Sequence, residues 1–251
     1  AQDIGGLQVE DLAQVEVLPG WRDTNGEHIA AIQITLAPGW ITYWRAPGDG
    51  GIPPQFAFRS EDAIDSITPE WPTPEVIYSN GMHSIGYNGS LVLPIRIATG
   101  QTGPLSVAGD LFIGICEEIC IPVTLSFETL LPPVGAADGQ IDAALAARAL
   151  PGSDAQVGEV TCAVTPIGDG ISMTASITVP QTSNDEFVVV EAPNPAIWVS
   201  QAEISRDGPT LQATVDMVHP SGAPFALDRS GVRITVLGAE RAIDIQGCKG
   251  G

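Results

Sequence analysis

Short stretches in which apolar and polar residues alternate run along most of this sequence. Residues 26–36 and 91–97 alternate with a period of two, and residues 105–122 hold two further apolar runs. A period of two places successive side chains on opposite faces of a β-strand. The 28 glycines and 21 prolines among 251 residues supply enough turns to keep the strands short. This combination predicts an antiparallel β-sandwich or barrel.

One segment, residues 134–152, departs from this pattern and indicates a helix. Ile141 and Leu145 lie there among alanines and arginines, which have high helix propensity. Pro133 and Pro151 bound the segment, and proline is common just outside helices. We therefore expect a short helical linker between two regions of β-structure.

After the helical segment the strand-like pattern resumes at residues 171–179, 187–190, 197–204, 211–218 and 232–237. Turn residues separate these runs, and the chain is long enough for two domains of ordinary size. We predict an all-β protein built from two antiparallel β-sandwich domains in series. The predicted boundaries are 1–133 for the first domain, 134–152 for the helical linker and 153–251 for the second domain.

The charge of the chain argues against two classes of partner. A net charge of -20 and a pI near 4.1 make the surface acidic, so phosphate backbones and anionic lipid headgroups are repelled. The best apolar stretch, residues 111–123, is interrupted by Glu117 and Glu118 and is shorter than the roughly 18 to 20 residues of a membrane-spanning helix. We expect neither nucleic-acid binding nor direct membrane insertion.

The start of the chain and its cysteine content suggest export. The sequence begins at Ala1 without Met, as a mature chain does after a signal peptide has been removed. Its four cysteines, an even number, suit an oxidising compartment. We expect an exported protein of the periplasm.

The four cysteines fall into two pairs with different expected roles. Cys116 and Cys120 flank a tight connection between two strand-like runs, so they can face each other across a hairpin and form a disulfide. Closing so short a loop contributes only about 2 kcal/mol, whereas joining Cys162 to Cys248 contributes between about 4 and 5 kcal/mol. We therefore expect Cys162–Cys248 to be structural and Cys116–Cys120 to be the pair kept for exchange.

Two other interpretations of Cys116 and Cys120 remain open at the level of sequence. The pair can be an inert local disulfide in an adaptor protein whose acidic surface recruits a partner. It can also bind copper, with Met82 and His83 as soft ligands, although its spacing is not that of a zinc knuckle. Apart from this weak alternative, we expect no metal site and no cofactor.

Several separated motifs, in order, resemble one family. They are Gly-Trp-Ile-Thr-Tyr-Trp-Arg-Ala-Pro-Gly-Asp-Gly-Gly-Ile-Pro-Pro-Gln-Phe at residues 39–56, Trp71-Pro72, Ser-Ile-Gly-Tyr at 84–87, Val-Leu-Pro at 92–94 and Cys-Glu-Glu-Ile-Cys-Ile-Pro at 116–122. Together they resemble the amino-terminal periplasmic domain of DsbD-type protein-disulfide reductases, in particular the branch associated with suppression of copper sensitivity. The resemblance covers most of residues 10–130, and residues 153–251 are similar only by analogy with the second sandwich of that branch.

The resemblance implies an immunoglobulin-like fold and a redox function. Its cysteine pair, here Cys116 and Cys120, accepts electrons from a thioredoxin-like redox domain, which a membrane electron donor supplies, and passes them to periplasmic proteins that contain disulfides. The chain is then a thiol-disulfide oxidoreductase or the electron-transfer module of one. Glu117 and Glu118 disfavour thiolate formation, so we expect this disulfide to be attacked by the low-pKa thiolate of a partner.

A few residues are expected around the cysteine pair. The turn signals Asn80-Gly81 and Asn88-Gly89 mark residues 79–89 as a loop that can shield the pair, so Met82, His83 and Tyr87 are possible lid residues. Tyr43 is a further possible neighbour, because it alternates with Trp40 and Trp44 along a predicted strand and therefore faces away from the core that the tryptophans fill.

Overall fold

The structure is a computed structural model that describes residues 3–4, 7–48, 50–79, 81–239 and 241–251. The chain divides into two compact units, residues 1–148 and 149–251. In the described ranges, every helix is too short or too polar to cross a bilayer.

The described residues of the first unit form strands and two short helices. The strands are β1 (Asp3–Ile4), β2 (Leu7–Gln8), β3 (Ala13–Arg22), β4 (His28–Leu36), β5 (Ile41–Gly48), β6 (Gln55–Arg59), β7 (Ser66–Pro69), β8 (Glu75–Ser79), β9 (Met82–Asn88), β10 (Ser90–Ala98), β11 (Leu105–Cys116) and β12 (Cys120–Leu131). The helices are α1 (Val9–Leu12) and α2 (Gly139–Ala146).

Two antiparallel sheets make up most of this unit. One has the strand order β3-β4-β10-β7, and the other has the order β12-β11-β5-β9-β8, with β6 paired to β11. Burial alternates residue by residue along β12, as expected for a strand with one face against a core and one face towards solvent. The predicted immunoglobulin-like β-sandwich architecture is confirmed.

The predicted helix is present as α2 and packs on the first unit. Asp138 caps its first turn, because its carboxylate accepts hydrogen bonds from the backbone N–H groups of Gln140 and Ile141. The buried side chain of Ile141 packs with Ile29 and Ala31 of β4. The helix therefore covers the outer face of the β3-β4-β10-β7 sheet.

The prediction that residues 79–89 form a loop is wrong over most of this segment. Met82–Asn88 is strand β9, which pairs with both β8 and β5. The turn signals are correct only at the two ends, where Gly81 and Gly89 have positive φ values of 81° and 71°. Asn80 lies outside the described residues.

The second unit also consists largely of antiparallel strands. They are β13 (Leu150–Pro151), β14 (Val160–Pro166), β15 (Gly170–Thr178), β16 (Phe187–Glu191), β17 (Trp198–Val199), β18 (Glu203–Asp207), β19 (Thr210–Val218), β20 (Arg233–Leu237), β21 (Ala242–Gln246) and β22 (Lys249–Gly250), with a 3-10 helix at Arg229–Gly231. The two sheets have the orders β13-β21-β20-β16 and β17-β19-β15-β14-β22, with β18 paired to β19. The pairs β13–β21 and β14–β22 are parallel.

Candidate functional site

The β11–β12 hairpin brings Cys116 and Cys120 together. The register of the hairpin places the two residues directly opposite each other at its tip, with Cα atoms 4.2 Å apart, and their sulfurs are bonded. Three turn residues, Glu117 to Ile119, connect the strands. The disulfide predicted from the spacing is therefore formed without any departure from regular strand pairing.

The two sulfur-bearing residues differ in exposure because they lie on different strands of the sheet. Cys116 is on β11, where it also pairs with Ile41 of β5, and it is only 4% exposed. Cys120 begins β12, the last strand of the sheet among the described residues, and it is exposed. One end of the disulfide is thus covered by a neighbouring strand and the other end faces solvent.

Tyr43, on β5, makes a hydrogen bond to the disulfide. Its hydroxyl oxygen lies 2.7 Å from the sulfur of Cys116 and 3.2 Å from the sulfur of Cys120. Because the bonded sulfurs carry no hydrogen, the phenol is the donor. The shorter distance is to the covered sulfur, so the hydrogen bond also distinguishes the two ends of the disulfide.

The phenol of Tyr43 is held in its donor form by its surroundings. The residue is buried, and burial raises the pKa of Tyr43 above its ordinary value, while a hydrogen bond from the side chain of Ser84 lowers it in part. The hydroxyl is therefore protonated at neutral pH. Ser84, on β9, lies close to this phenol.

The turn between the cysteines is acidic and partly apolar. Glu117, Glu118 and Ile119 are all exposed, Ile119 to 64%. The carboxylate of Glu117 packs against Gly39, where a Cβ would lie 3.0 Å from Oε1. Two carboxylates beside the pair disfavour a thiolate there.

The other residues expected near the pair occupy different positions. In the pairing of β5 with β9, Tyr87 lies opposite Thr42 and Gly86 lies opposite Tyr43. Because successive residues of a strand point to opposite faces, Tyr87 lies on the opposite face of the sheet from Tyr43. It is buried, and its hydroxyl donates to the carbonyl of Pro72. The interpretation of Tyr87 as a lid residue has no support in these contacts.

Met82 and His83, the ligands considered for copper, are both on β9. The ring of His83 lies against the ring of Tyr78, with centroids 5.0 Å apart, and the sulfur of Met82 lies beside Gly50. Within the described ranges, no three or more His, Cys, Asp or Glu side chains are grouped so as to hold a metal ion.

The second disulfide lies within the second unit. Cys162, on β14, is fully buried and bonded to Cys248, 86 residues further along the chain. The backbone of Cys248 also donates to the carbonyl of Arg229. The disulfide attaches the segment just before β22 to the core of the second sandwich.

Sequence reasoning identified Tyr43 as a possible neighbour but missed Ser84. Trp40 and Trp44 are buried as predicted. Tyr43 alternates with them, so its direction follows from the strand period. Ser84 belongs to the 84–87 motif and to the segment expected near the pair, but its position beside Tyr43 depends on the pairing of β9 with β5.

The fold and the site define a class: immunoglobulin-like β-sandwich proteins with a disulfide at the exposed end of a sheet-edge hairpin. The chain matches the family model described as thiol:disulfide interchange protein DsbD, N-terminal, over residues 7–132, half of its length. The chain belongs to this family. Membership and the Cys116–Cys120 disulfide together support a thiol-disulfide exchange module.

Two solved structures are similar to the chain. The N-terminal periplasmic domain of ScsB from Proteus mirabilis is 22% identical, with a TM-score of 0.72 over 97% of this chain and 96% of that one. The N-terminal domain of DsbD from Neisseria meningitidis in the reduced form is 15% identical, with a TM-score of 0.33 over 50% of this chain and 90% of that one. No curated protein matches the sequence significantly.

Proposed function

We propose that the chain is a periplasmic electron-transfer module that works by thiol-disulfide exchange at Cys116 and Cys120. It accepts two electrons from the dithiol of a thioredoxin-like partner and passes them to periplasmic proteins that contain disulfides. The observation that carries the proposal is the asymmetric disulfide, with one exposed end and one end that receives the hydrogen bond of Tyr43.

The partner thiolate attacks the sulfur of Cys120. A thiolate must approach along the S–S axis from outside the bond, and the exposed residue offers that approach while Cys116 is covered by β5. A new bond forms between the partner sulfur and Cys120. The Cys116–Cys120 bond breaks, and its electron pair leaves on the sulfur of Cys116.

Cys116 is the better leaving group because Tyr43 stabilises the charge that develops on it. The phenol already donates to this sulfur at 2.7 Å, so the hydrogen bond needs no rearrangement when the sulfur becomes negative. Hydrogen bonds to charged groups contribute about 1.5 to 3 kcal/mol. The site therefore favours breaking the disulfide with the charge on the buried side.

The second thiol of the partner completes the transfer. It attacks the partner's own sulfur in the mixed disulfide, so the partner becomes oxidised and Cys120 leaves as a thiolate. Both cysteines of the chain are then reduced, and the partner's two thiol protons are balanced by the two thiols formed. Attack of the Cys120 thiolate on a substrate disulfide, followed by resolution by Cys116, returns the chain to its disulfide form.

We assign a structural role to Cys162–Cys248. Cys162 is fully buried and Cys248 is partly buried, whereas Cys120 is exposed, so a partner thiolate has less access to this bond than to Cys116–Cys120. The bond closes a long loop, which is where a disulfide constrains the unfolded chain most.

A trapping experiment tests the assignment of Cys120. The oxidised protein is mixed with thioredoxin whose resolving cysteine is replaced by serine, quenched with acid, alkylated and mapped by mass spectrometry. We expect a mixed disulfide at Cys120 and an alkylated Cys116. A mixed disulfide at Cys116 with alkylated Cys120 would reverse the order of attack, and no mixed disulfide at either cysteine would contradict the exchange function.

A further inference from the structure

The aromatic ring of Tyr43 lies between two glycines that come from different segments. A Cβ atom at Gly51 would lie 2.8 Å from Cδ1 of the ring, and a Cβ atom at Gly114 would lie 3.0 Å from both Cδ2 and Cε2. These distances are at or below the closest approach of real side chains in packed interiors. Each edge of the ring therefore lies against a glycine. A Cβ would overlap first with Cβ of Pro47 at Gly51, at 2.3 Å, and with Cβ of Ile52 at Gly114, at 2.7 Å, so a side chain at either position would crowd the ring together with these neighbours.

Gly114 lies on the same face of the sheet as the disulfide. It is on β11, two residues before Cys116, so the strand period places both on one face. The side chain of Thr42 donates to the carbonyl of Gly114 at 3.0 Å, which fixes the local backbone to β5. Gly114 has an ordinary negative φ, so its missing side chain serves packing and not backbone freedom.

Gly51 belongs to a short segment, residues 50–52, that covers the other edge of the ring. We call this segment the strap. At one end, a Cβ at Gly50 would lie 3.6 Å from the sulfur of Met82. At the other end, the Cβ of Ile52 lies 2.7 Å from the position of a Cβ at Gly114. The strap and β11 thus enclose the ring of Tyr43 from both sides.

The position of the ring determines the geometry of the hydrogen bond at its end. The hydroxyl of Tyr43 is 2.7 Å from the sulfur of Cys116 and 3.2 Å from the sulfur of Cys120. A small displacement of the ring therefore changes which sulfur accepts the shorter hydrogen bond. Hydrogen bonds weaken steeply with distance and with loss of linearity. Packing around the ring therefore controls the hydrogen bond to Cys116.

We propose that Gly51 and Gly114 are positioning residues for the exchange reaction, which hold the ring of Tyr43 so that its hydroxyl stabilises the leaving sulfur of Cys116. This inference rests on the proposed function. It assigns a role to Gly51 and makes the strap part of the redox site.

The direct test is Gly114→Ala, with the pKa of the Cys116 thiol as the readout. The reduced protein is alkylated over a range of pH, and the rate at Cys116 is followed by mass spectrometry. The titratable groups in contact with the site, Tyr43 on β5 and Glu117 and Glu118 in the turn, are unchanged in this variant. A thiol pKa reports the hydrogen bond, and a merely structural role would not move it.

Gly109→Ala is the matched control. Gly109 is on the same strand, and a Cβ there would lie 2.8 Å from the ring of Phe127, so the substitution causes a similar overlap with an aromatic ring away from the disulfide. We expect Gly114→Ala to raise the thiol pKa by about one unit, a roughly tenfold smaller thiolate fraction at neutral pH. Gly109→Ala should leave the thiol pKa unchanged.

A double variant shows whether the effect passes through Tyr43. Tyr43→Phe alone should raise the thiol pKa at least as much as Gly114→Ala, and Gly114→Ala should add nothing in the Tyr43→Phe background. Equal shifts in Gly114→Ala and Gly109→Ala, no shift in Gly114→Ala, or additive shifts in the double variant would overturn the proposal.

A milder variant covers the case in which Gly114→Ala does not fold. Ile52→Ala removes side-chain atoms beside the ring without creating an overlap, and it should raise the thiol pKa in the same direction by a smaller amount. An unchanged thiol pKa in folded Ile52→Ala would then overturn the proposal. Because alkylation needs no partner, a protein that fails to exchange with thioredoxin but shows these shifts contradicts the proposed function and supports the positioning roles.

Discussion

The two sulfurs of one disulfide have different surroundings at the scale of single residues. A disulfide is chemically symmetric, so the difference comes from the sheet around it. Cys116 has a neighbouring strand and the short hydrogen bond from Tyr43, whereas Cys120 lies at the sheet edge. In the proposed mechanism, this difference in surroundings separates the sulfur that is attacked from the sulfur that leaves.

Replacing Tyr43 by phenylalanine tests the hydrogen bond directly. Tyr43→Phe keeps the ring and removes the donor, so the leaving thiolate of Cys116 loses about 1.5 to 3 kcal/mol of stabilisation. We expect reduction of the disulfide by dithiothreitol to slow by about tenfold to a hundredfold. The second-order rate is measured by quenching and alkylation.

Tyr78→Phe is the control for this substitution. Tyr78 is a largely exposed tyrosine on β8 of the same unit. Within the described part of the chain, the structure shows no contact between its side chain and the sulfurs of Cys116 and Cys120. Its replacement should leave the rate unchanged. A Tyr43→Phe protein as fast as Tyr78→Phe would show that the phenol has no part in the reaction.

His28 gives the first unit a pH-dependent stability. It is fully buried on β4, its Nε2 lies 2.7 Å from the carbonyl oxygen of Pro19, and burial lowers the pKa of His28 below its ordinary value of 6.5. The folded protein therefore keeps the ring neutral at a pH where the unfolded chain binds a proton. Stability is full above about pH 6.5 and is lost as the pH falls from there towards the lower pKa of the folded state.

Denaturant unfolding at a series of pH values checks this prediction. The free energy of unfolding of the wild type should decrease between about pH 7 and about pH 5 more steeply than that of His28→Gln, which retains a donor for Pro19 but does not titrate. Parallel curves for the two proteins would mean that His28 does not contribute to the pH dependence.

At the scale of elements, the alternating pattern predicts most strands but not their neighbours. The two apolar runs of residues 105–122 lead into β11 and β12, and the cysteines between them face each other as expected. Strand β9 was missed because its first residues, Met82 to Ser84, have no apolar alternation. All three pair with β8, and further along the strand β9 also pairs with β5. Tertiary pairing here overrides the local signal.

The dependence on strand pairing also limits how much of the site can be predicted. Cys116, Cys120 and Tyr43 are recognisable from spacing, motif and strand period. Ser84 and the strap also lie in motifs, but their contacts with Tyr43 cannot be predicted. These contacts depend on the register of β5 with β9 and on the path of the chain after β5. Register is a property of the assembled sheet, which a single sequence does not state.

The close approach of β5 and β9 depends on Gly86. A Cβ there would overlap the carbonyl oxygen of Thr42, a backbone atom that cannot move without disturbing β5. We expect Gly86→Ala to destabilise the first unit by about 1 to 3 kcal/mol, the cost of overpacking. Gly139→Ala is the control, since nothing lies near that position in helix α2 and alanine favours a helix. Equal stabilities by denaturant unfolding would contradict this account of the β5–β9 packing.

At the scale of the whole molecule, we expect the two disulfides to serve different purposes in their two units. The Cys162–Cys248 bond is buried at one end and spans 86 residues of the chain. Replacing both cysteines by alanine should lower the free energy of unfolding of the second unit by between about 4 and 5 kcal/mol. The same change at Cys116 and Cys120 should cost only about 2 kcal/mol, measured by denaturant unfolding. Equal losses would remove the distinction between a structural and an exchanging bond.

We propose that Cys116–Cys120 exchanges while Cys162–Cys248 does not, and the reduction potential of each bond tests this most directly. The protein is equilibrated in graded thiol buffers and alkylated, and mass spectrometry assigns the labelled cysteines. We predict that Cys116 and Cys120 become labelled together at a potential well above the structural range, which lies below about -300 mV, while Cys162 and Cys248 stay oxidised. If both bonds resist reduction equally, the redox function is contradicted and the first unit is a recognition scaffold with an inert hairpin disulfide.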